Sequence, residues 1–215
     1  MPLDIREIKK KIEEFNEHPE WLALDKLTGE IFRHRNGIDA YGIAKQILII
    51  SRAWKGRVEA HEKQILENSI DYWNEITQNM IRIPLPENNE ERIIEKIDIL
   101  WKELIFRNIN GNCHVFFSKF LHWHTPNTFP IADSYSRNAL RNIGLEVNRQ
   151  SSLNNYRKVI RAYSKLIETL KNRYPNISHQ LTDYDYRTQG NYPQLRRKNK
   201  FLRVLDKWLW LKGRE

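Results

Sequence analysis

Cysteine occurs once in this 215-residue chain, methionine twice, and glycine and proline eight times each. With Cys113 alone, no intrachain disulfide forms and no thiolate-rich zinc site assembles, so a reducing compartment is expected. Long hydrophobic runs are also missing. The most apolar stretch, Tyr41 to Ile50, is interrupted by Lys45 and Gln46, which leaves nothing able to span a bilayer. The opening segment MPLDIREIKKKIEEF is a charged amphipathic pattern without the apolar stretch and small-residue cleavage site of a secretory signal. These absences exclude disulfide scaffolds and membrane spans, and they make a soluble, cytoplasmic protein the expectation. The few glycines and prolines fall between periodic segments, with no internal repeat and no low-complexity linker.

Acidic residues are scarce in one half only. Residues 1–133 carry 18 Lys and Arg against 21 Asp and Glu, whereas residues 134–215 carry 18 against 6. The net charge of +9 is thus concentrated in the C-terminal part. A surface of that kind releases counterions when it neutralises a polyanion, so a nucleic acid, DNA foremost, is the expected partner, and no membrane is. Lysines and arginines that merely solubilise helices are the plainer alternative. The 40% hydrophobic content suffices for a real core. One helical domain over 1–215 is expected, with room for a division into N-terminal helices (1–107) and a basic C-terminal part (108–215).

The periodicity is helical nearly throughout, so the fold class is all-α or nearly so. Ile5, Ile8, Ile12 and Phe15 mark a first helix ending near Pro19. Residues 21–36 lose that period; Asp25 to Glu30 reads as a turn, and a short hairpin or irregular loop is expected there. Asp39 caps a helix through Trp54 whose apolar residues lie almost all round, which predicts a buried position. Val58, Ile65, Ile70, Trp73, Ile76 and Met80 predict one long helix ending before Pro84. Ile93 to Ile105 form another, and a further helix runs from the Asn110-Gly111-Asn112 turn to about His124. After a loop, Asp133 stands before a short helix beginning at Ser134. Leu153 to Leu170 define a long helix, residues 174–193 read as a polar, tyrosine-rich loop, and a last helix carries Phe201, Leu202, Leu205, Trp208 and Leu209 on one side. Arg203 and Lys207 fall elsewhere on its circumference.

The most informative segment is Asn112 to Asp133. Lys119 sits among Phe116, Phe117, Phe120, Leu121 and Trp123. Such a lysine either snorkels outward or is held in a partly desolvated pocket, where a lowered pKa yields a nucleophilic amine. Asp133 follows after a returning loop, so helix, loop and helix start can bring both side chains to one cleft. From residue types alone, an exposed Lys119 and an Asp133 that only caps its helix is the simpler reading. His122 and His124 are two apart and point to different sides of a helix, with no Cys/His quartet, so no metal site is expected. The cations Arg196, Arg197, Lys198 and Arg203 alternate with Tyr184, Tyr186, Tyr192 and Trp210, a mixture suited to phosphates and unpaired bases. Trp208 lies on the apolar stripe and is expected in the core.

Ser118-Lys119-Phe120-Leu121-His122-Trp123, taken with Phe129-Pro130-Ile131-Ala132-Asp133-Ser134, resembles the lysine-and-aspartate core of helix–hairpin–helix DNA glycosylase-like proteins, in particular bacterial proteins with the 8-oxoguanine DNA glycosylase fold. Arg203-Val204-Leu205-Asp206 and Leu209-Trp210 are similar to a C-terminal helix motif of the same proteins. The resemblance covers about residues 110–212 and implies DNA repair chemistry. Lys119 would attack the sugar C1′, and Asp133 would stabilise the positive charge developing on that sugar. Trp123, Phe129 and Tyr135 would line the pocket for a flipped base, while Arg137 and Arg141 would hold flanking phosphates. No cofactor and no metal is implied. Two departures are visible: the glycine-rich hairpin of that family is replaced by Asn108 to Asn112, with one glycine, and the lysine-to-aspartate spacing is shorter. A shared fold is compatible with a non-catalytic nucleic-acid-binding or interaction protein, which is the alternative reading.

Overall fold

Helix termini are set locally by side chains that satisfy the free N–H groups of a first turn. Asp4, Asp39, Asp133 and Ser152 each accept from a backbone N–H two or three residues on, caps of about 1 kcal/mol each. The computed structural model describes residues 3–33, 38–56, 58–80, 85, 89–109 and 113–215. Among them there are eleven α-helices and no strand. These are α1 (Ile5–Asn16), α2 (Pro19–Ile31), α3 (Ala40–Leu48), α4 (Glu62–Asp71), α5 (Trp73–Asn79), α6 (Glu90–Ile99), α7 (His114–His124), α8 (Ser134–Asn142), α9 (Leu153–Arg173), α10 (Ile177–Thr188) and α11 (Phe201–Lys212). None is long and apolar enough to cross a membrane.

The apolar stripes assemble one core. Ile8, Ile12 and Phe15 of α1 are buried, and α1 packs on α10 and α11, so the first helix is built into the C-terminal part of the chain. Helix α7 sits in the middle: every residue from Phe116 to His124 is buried. It touches α9 and a π-helical turn, Ile49–Ala53, that extends α3. A second π-turn, Leu100–Ile105, extends α6. Wide turns of this sort release backbone groups from the regular ladder and recur at functional sites.

Four expectations are corrected. Residues 21–31 are helical, not a hairpin or loop. Their period is hidden because two of the buried positions, Asp25 and Thr28, are polar. Asp25 meets Arg203, and Thr28 accepts from the Trp54 indole N–H at 2.8 Å. Residues 177–188 are likewise helical, burying Ile177, Leu181 and Asp185 at four-residue intervals. The expected long helix from Val58 to Met80 is two helices. The chain changes direction at Tyr72, and Trp73 then lies 5.5 Å from the His124 ring. Helix α3 buries Ile43 and Ile47 but leaves Tyr41 and Leu48 exposed, so it is not enclosed all round. The expected turns at Asn36-Gly37 and at Asn110 to Asn112, and Pro84, lie outside the described residues.

Glycine matters at two close approaches. A Cβ on Gly56 would lie 2.8 Å from the Ile50 carbonyl oxygen, and one on Gly213 would lie 1.9 Å from that of Tyr135. Gly213 thereby lets the end of α11 settle against the start of α8. That contact shapes the cleft.

Candidate functional site

The loop between α7 and α8 is held by α7 itself. Ser118 Oγ accepts from the Ala132 N–H at 3.0 Å, and His122 Nδ1–H donates to the Phe129 carbonyl at 2.8 Å. From α9, the Tyr156 hydroxyl donates to the Pro130 carbonyl at 3.0 Å. Ser118 and His122 are four apart on one face of α7, so the pair grips both ends of the segment leading into Asp133. Lys119, one residue round the helix from Ser118, is thereby set beside Asp133.

The two charged groups meet in the interior. Lys119 Nζ is 3.6 Å from Asp133 Oδ2, and the residues are 7% and 8% exposed. Lys119 is therefore not snorkelling. Asp133 uses Oδ1 to cap α8, accepting from the Ser136 N–H at 2.9 Å, and turns Oδ2 towards the amine. Lys119 also donates to the Trp54 carbonyl oxygen at 2.8 Å, at the end of the first π-turn.

Lys119 and Asp133 line a cleft of about 680 Å³, within the range of small-ligand sites. Its walls include Phe15, Trp21, Trp54, Tyr135 and Trp210. Trp210 lies edge-on to Trp21 and Tyr135, at 4.9 Å and 5.5 Å between ring centroids. Arg214 stacks at 4.7 Å over Trp210. Four residues of the C-terminal segment, Arg203, Asp206, Trp210 and Arg214, recur at three and four residues and all line the cleft. Of this stripe Arg203 and Trp210 were singled out from the sequence as binding residues, whereas Asp206 and Arg214 were not. Its signal was a charged set at helical spacing on the side of α11 away from Leu205 and Leu209.

The floor of the cleft is a buried ionic cluster. Arg203 donates through Nε to Asp25 Oδ1 at 3.0 Å and through Nη2 to the same oxygen at 2.6 Å, while Nη1 donates to Asp206 Oδ2. Lys207 binds Asp185 at 2.7 Å and Asn16 at 2.8 Å. Burial acts to raise the Asp25 pKa, but Arg203 and Lys207 together outweigh it and hold the carboxyl below its usual range. Asp206 has Arg203 but also feels Asp133 and Asp25, and burial pushes its pKa up to about 7. Two carboxylates that share one guanidinium are thus driven apart by their remaining neighbours. His122 is pushed down to about 3, chiefly by burial and then by Arg203.

The residues named from sequence are distributed over the cleft, the interior and the surface. Lys119, Asp133, Tyr135 and Arg137 come together at the cleft, where buried Arg137 donates to the Ala132 and Arg149 carbonyls. Trp123 and Phe129 are buried, at 3% and 0% exposure, and do not line it. Trp123 instead backs Trp54 at 5.5 Å, and the Phe129 carbonyl anchors His122. Their expected place in the pocket wall is taken by Trp54 and Trp210. Arg141 lies on a separate shallow depression with Gly144 and Lys158. Arg196 and Lys198 are exposed, Arg197 is half-buried and donates to the Asp25 carbonyl at 2.8 Å, and Arg203 and Lys207 are interior. Among the expected phosphate contacts, Arg137, Arg197 and Arg203 are thus engaged by internal partners. Trp208 is in the core, as its spacing required.

No group of three or more His, Cys, Asp or Glu side chains able to hold a metal occurs among the described residues. Comparison with protein-family models, with curated proteins and with solved structures finds no match to this chain.

Proposed function

We propose that this chain is a DNA glycosylase-like protein that takes a flipped nucleotide into the Lys119–Asp133 cleft and excises its base. The observation that carries the reading is the pairing of a buried amine and a buried carboxylate, 3.6 Å apart, at an aromatic-walled cleft. A base stacked against Trp54, Trp210 or Tyr135 leaves its sugar facing Lys119. The amine attacks C1′, the C1′–N bond breaks, and the base departs with the bonding electrons. Asp133 sits at the positive end of α8, where a carboxylate complements the helix dipole. It stabilises the cationic character of the sugar in the transition state. The charge asymmetry of the chain and the resemblance of the α7–α8 segment to helix–hairpin–helix glycosylases support the same reading.

A second reading has its own observation. Lys119 donates to the Trp54 carbonyl and faces Asp133, an arrangement that suits an anion-binding site without catalysis. Borohydride trapping separates the two. Labelled duplexes carrying oxidised, deaminated or alkylated bases are incubated with the protein and reduced. The excision reading expects a covalent adduct with at least one lesion, abolished by Lys119→Gln at unchanged DNA affinity. Binding without an adduct or base release over the whole panel overturns excision in favour of the binding scaffold.

A further inference from the structure

Asp206 is a buried carboxylate that the lysine-and-aspartate chemistry leaves unused. It is 3% exposed and lines the cleft that holds Lys119 and Asp133. Arg203 occupies its Oδ2, but its Oδ1 has no hydrogen-bond partner among the described residues. A buried carboxylate oxygen without a donor is costly unless a proton or a ligand group satisfies it. We propose that Asp206 is the catalytic general acid of this cleft, protonating the departing base with a proton drawn from Lys119. The inference rests on the excision reading above.

The charges facing Asp206 favour this role from several elements. Arg203 lies on its own helix, Asp133 at the head of α8, Lys119 on α7 and Asp25 on α2, and the buried Tyr163 of α9 feels its charge. The carboxylates resist a third negative charge, and with burial they bring Asp206 to about 7, where a general acid works best at neutral pH. The proton movements balance. An ammonium at Lys119 and a carboxylate at Asp206 differ by one proton from a neutral amine and a carboxylic acid. That single transfer creates nucleophile and acid together. The amine then forms the Nζ–C1′ bond as the C1′–N bond breaks. The electron pair goes to the base nitrogen, and the Asp206 proton follows it. The base leaves neutral, Lys119 is left as a secondary ammonium on C1′, and Asp206 returns to the carboxylate. Arg203, bound to Oδ2 on the other side, holds the carboxyl in place through both states.

Leaving-group chemistry tests the acid. A neutral base such as 8-oxoguanine must gain a proton as it leaves, whereas N7-methylguanine, already cationic, departs neutral without one. Asp206→Asn removes both leaving-group protonation and the Lys119 proton acceptor for the neutral base but only the latter for N7-methylguanine, so it is expected to slow single-turnover excision of the neutral base by about 10²–10³-fold more than that of N7-methylguanine. Equal losses on both overturn the acid role. The proton exchange with Lys119 is read without any turnover. Lys119 acetylation by acetic anhydride is followed by mass spectrometry against exposed Lys63, at a pH of about 8. Removing the ionised Asp206 neighbour in Asp206→Asn is expected to increase relative Lys119 labelling severalfold, because the ammonium loses a stabilising charge. Unchanged labelling overturns the coupling. Asp206→Ser, which leaves Arg203 its Asp25 partner, is run alongside as a second variant with the same expectations. If the wild-type protein excises neither base while Lys119 labelling responds, base excision fails and the coupled pair stands. If excision occurs and labelling does not respond, the Asp206 proposal fails alone.

Discussion

Lys119 Nζ lies closer to the Trp54 carbonyl oxygen, at 2.8 Å, than to Asp133 Oδ2, at 3.6 Å. The amine is therefore held by a neutral dipole as well as by a charge, and Asp133 is committed to its helix through the other oxygen. Asp133→Asn keeps an oxygen for the Ser136 N–H, whereas Asp133→Ala removes the cap. Urea denaturation is expected to show Asp133→Ala less stable than Asp133→Asn by about 1 kcal/mol. If excision occurs, both variants lose it by on the order of 10²–10³-fold, measured as single-turnover rates. Equal stability of the two variants contradicts the capping role.

Gly213 sets how α11 meets α8. A methyl group there would overlap the Tyr135 carbonyl, which is backbone and cannot swing aside. Gly213→Ala is expected to destabilise the fold by about 1–3 kcal/mol in chemical denaturation. Tryptophan emission should change as well, because Trp210 and Tyr135 separate at the cleft wall.

The Arg203 cluster should respond asymmetrically. Arg203→Met leaves Asp25 buried with Lys207, at 3.7 Å, as its remaining ion-pair partner, and a loss of about 3–5 kcal/mol is expected for breaking a buried pair from one side. Asp25→Leu combined with Arg203→Met is expected to be milder than the sum of the single changes, as read from a double-mutant cycle. Strict additivity contradicts the pairing.

Two buried groups give stability an opposed pH dependence. His122 titrates at about 3 rather than 6.5 in the folded chain, so the unfolded state binds more protons in that interval. Its contribution is fully present above 6.5 and is lost as pH falls towards 3. Asp206 titrates at about 7 rather than 3.8, so the folded state binds more protons there. That contribution is lost as pH rises from 3.8 to about 7. Between pH 5 and pH 7 the slope of the urea midpoint against pH should therefore be more positive in Asp206→Asn than in the wild type, where the two contributions oppose each other. The His122 imidazole should stay neutral in NMR spectra at pH 5, with its proton on Nδ1.

Phosphate binding is expected from the exposed cations only. Reversing Arg196, Lys198 and Lys200 to Glu should weaken DNA binding alike for all sequences. The slope of log affinity against log salt should fall by about 0.9 for each phosphate that is no longer neutralised. Arg197→Glu should instead act through stability, since its guanidinium donates to the Asp25 carbonyl at 2.8 Å. Salt-independent binding, or indifference to the triple reversal, removes the electrostatic interface.

What the sequence determined by itself was local. Helices α1, α7, α8 and α9 announce themselves through apolar stripes and through caps such as Asp133, because their stabilising contacts involve neighbours a few residues away. The Lys119–Asp133 pair was legible only in part: a helix, one returning loop and a helix start allow the two side chains to meet, but residue types alone favoured an exposed Lys119 and a merely capping Asp133, and the pairing gained weight only from the resemblance. Helices α2 and α10 were not legible, because Asp25, Thr28 and Asp185 look like surface residues until their distant partners are in place. The bond from Arg203 to Asp25 spans 178 residues. Only the tertiary structure put Trp54 and Trp210, rather than Trp123 and Phe129, on the cleft wall, and only it brought Asp206 into the cleft that holds Lys119. A buried charge is tolerated where partners converge on it, and that convergence depends on the docking of α11 against α1, α8 and α10, which no local pattern encodes.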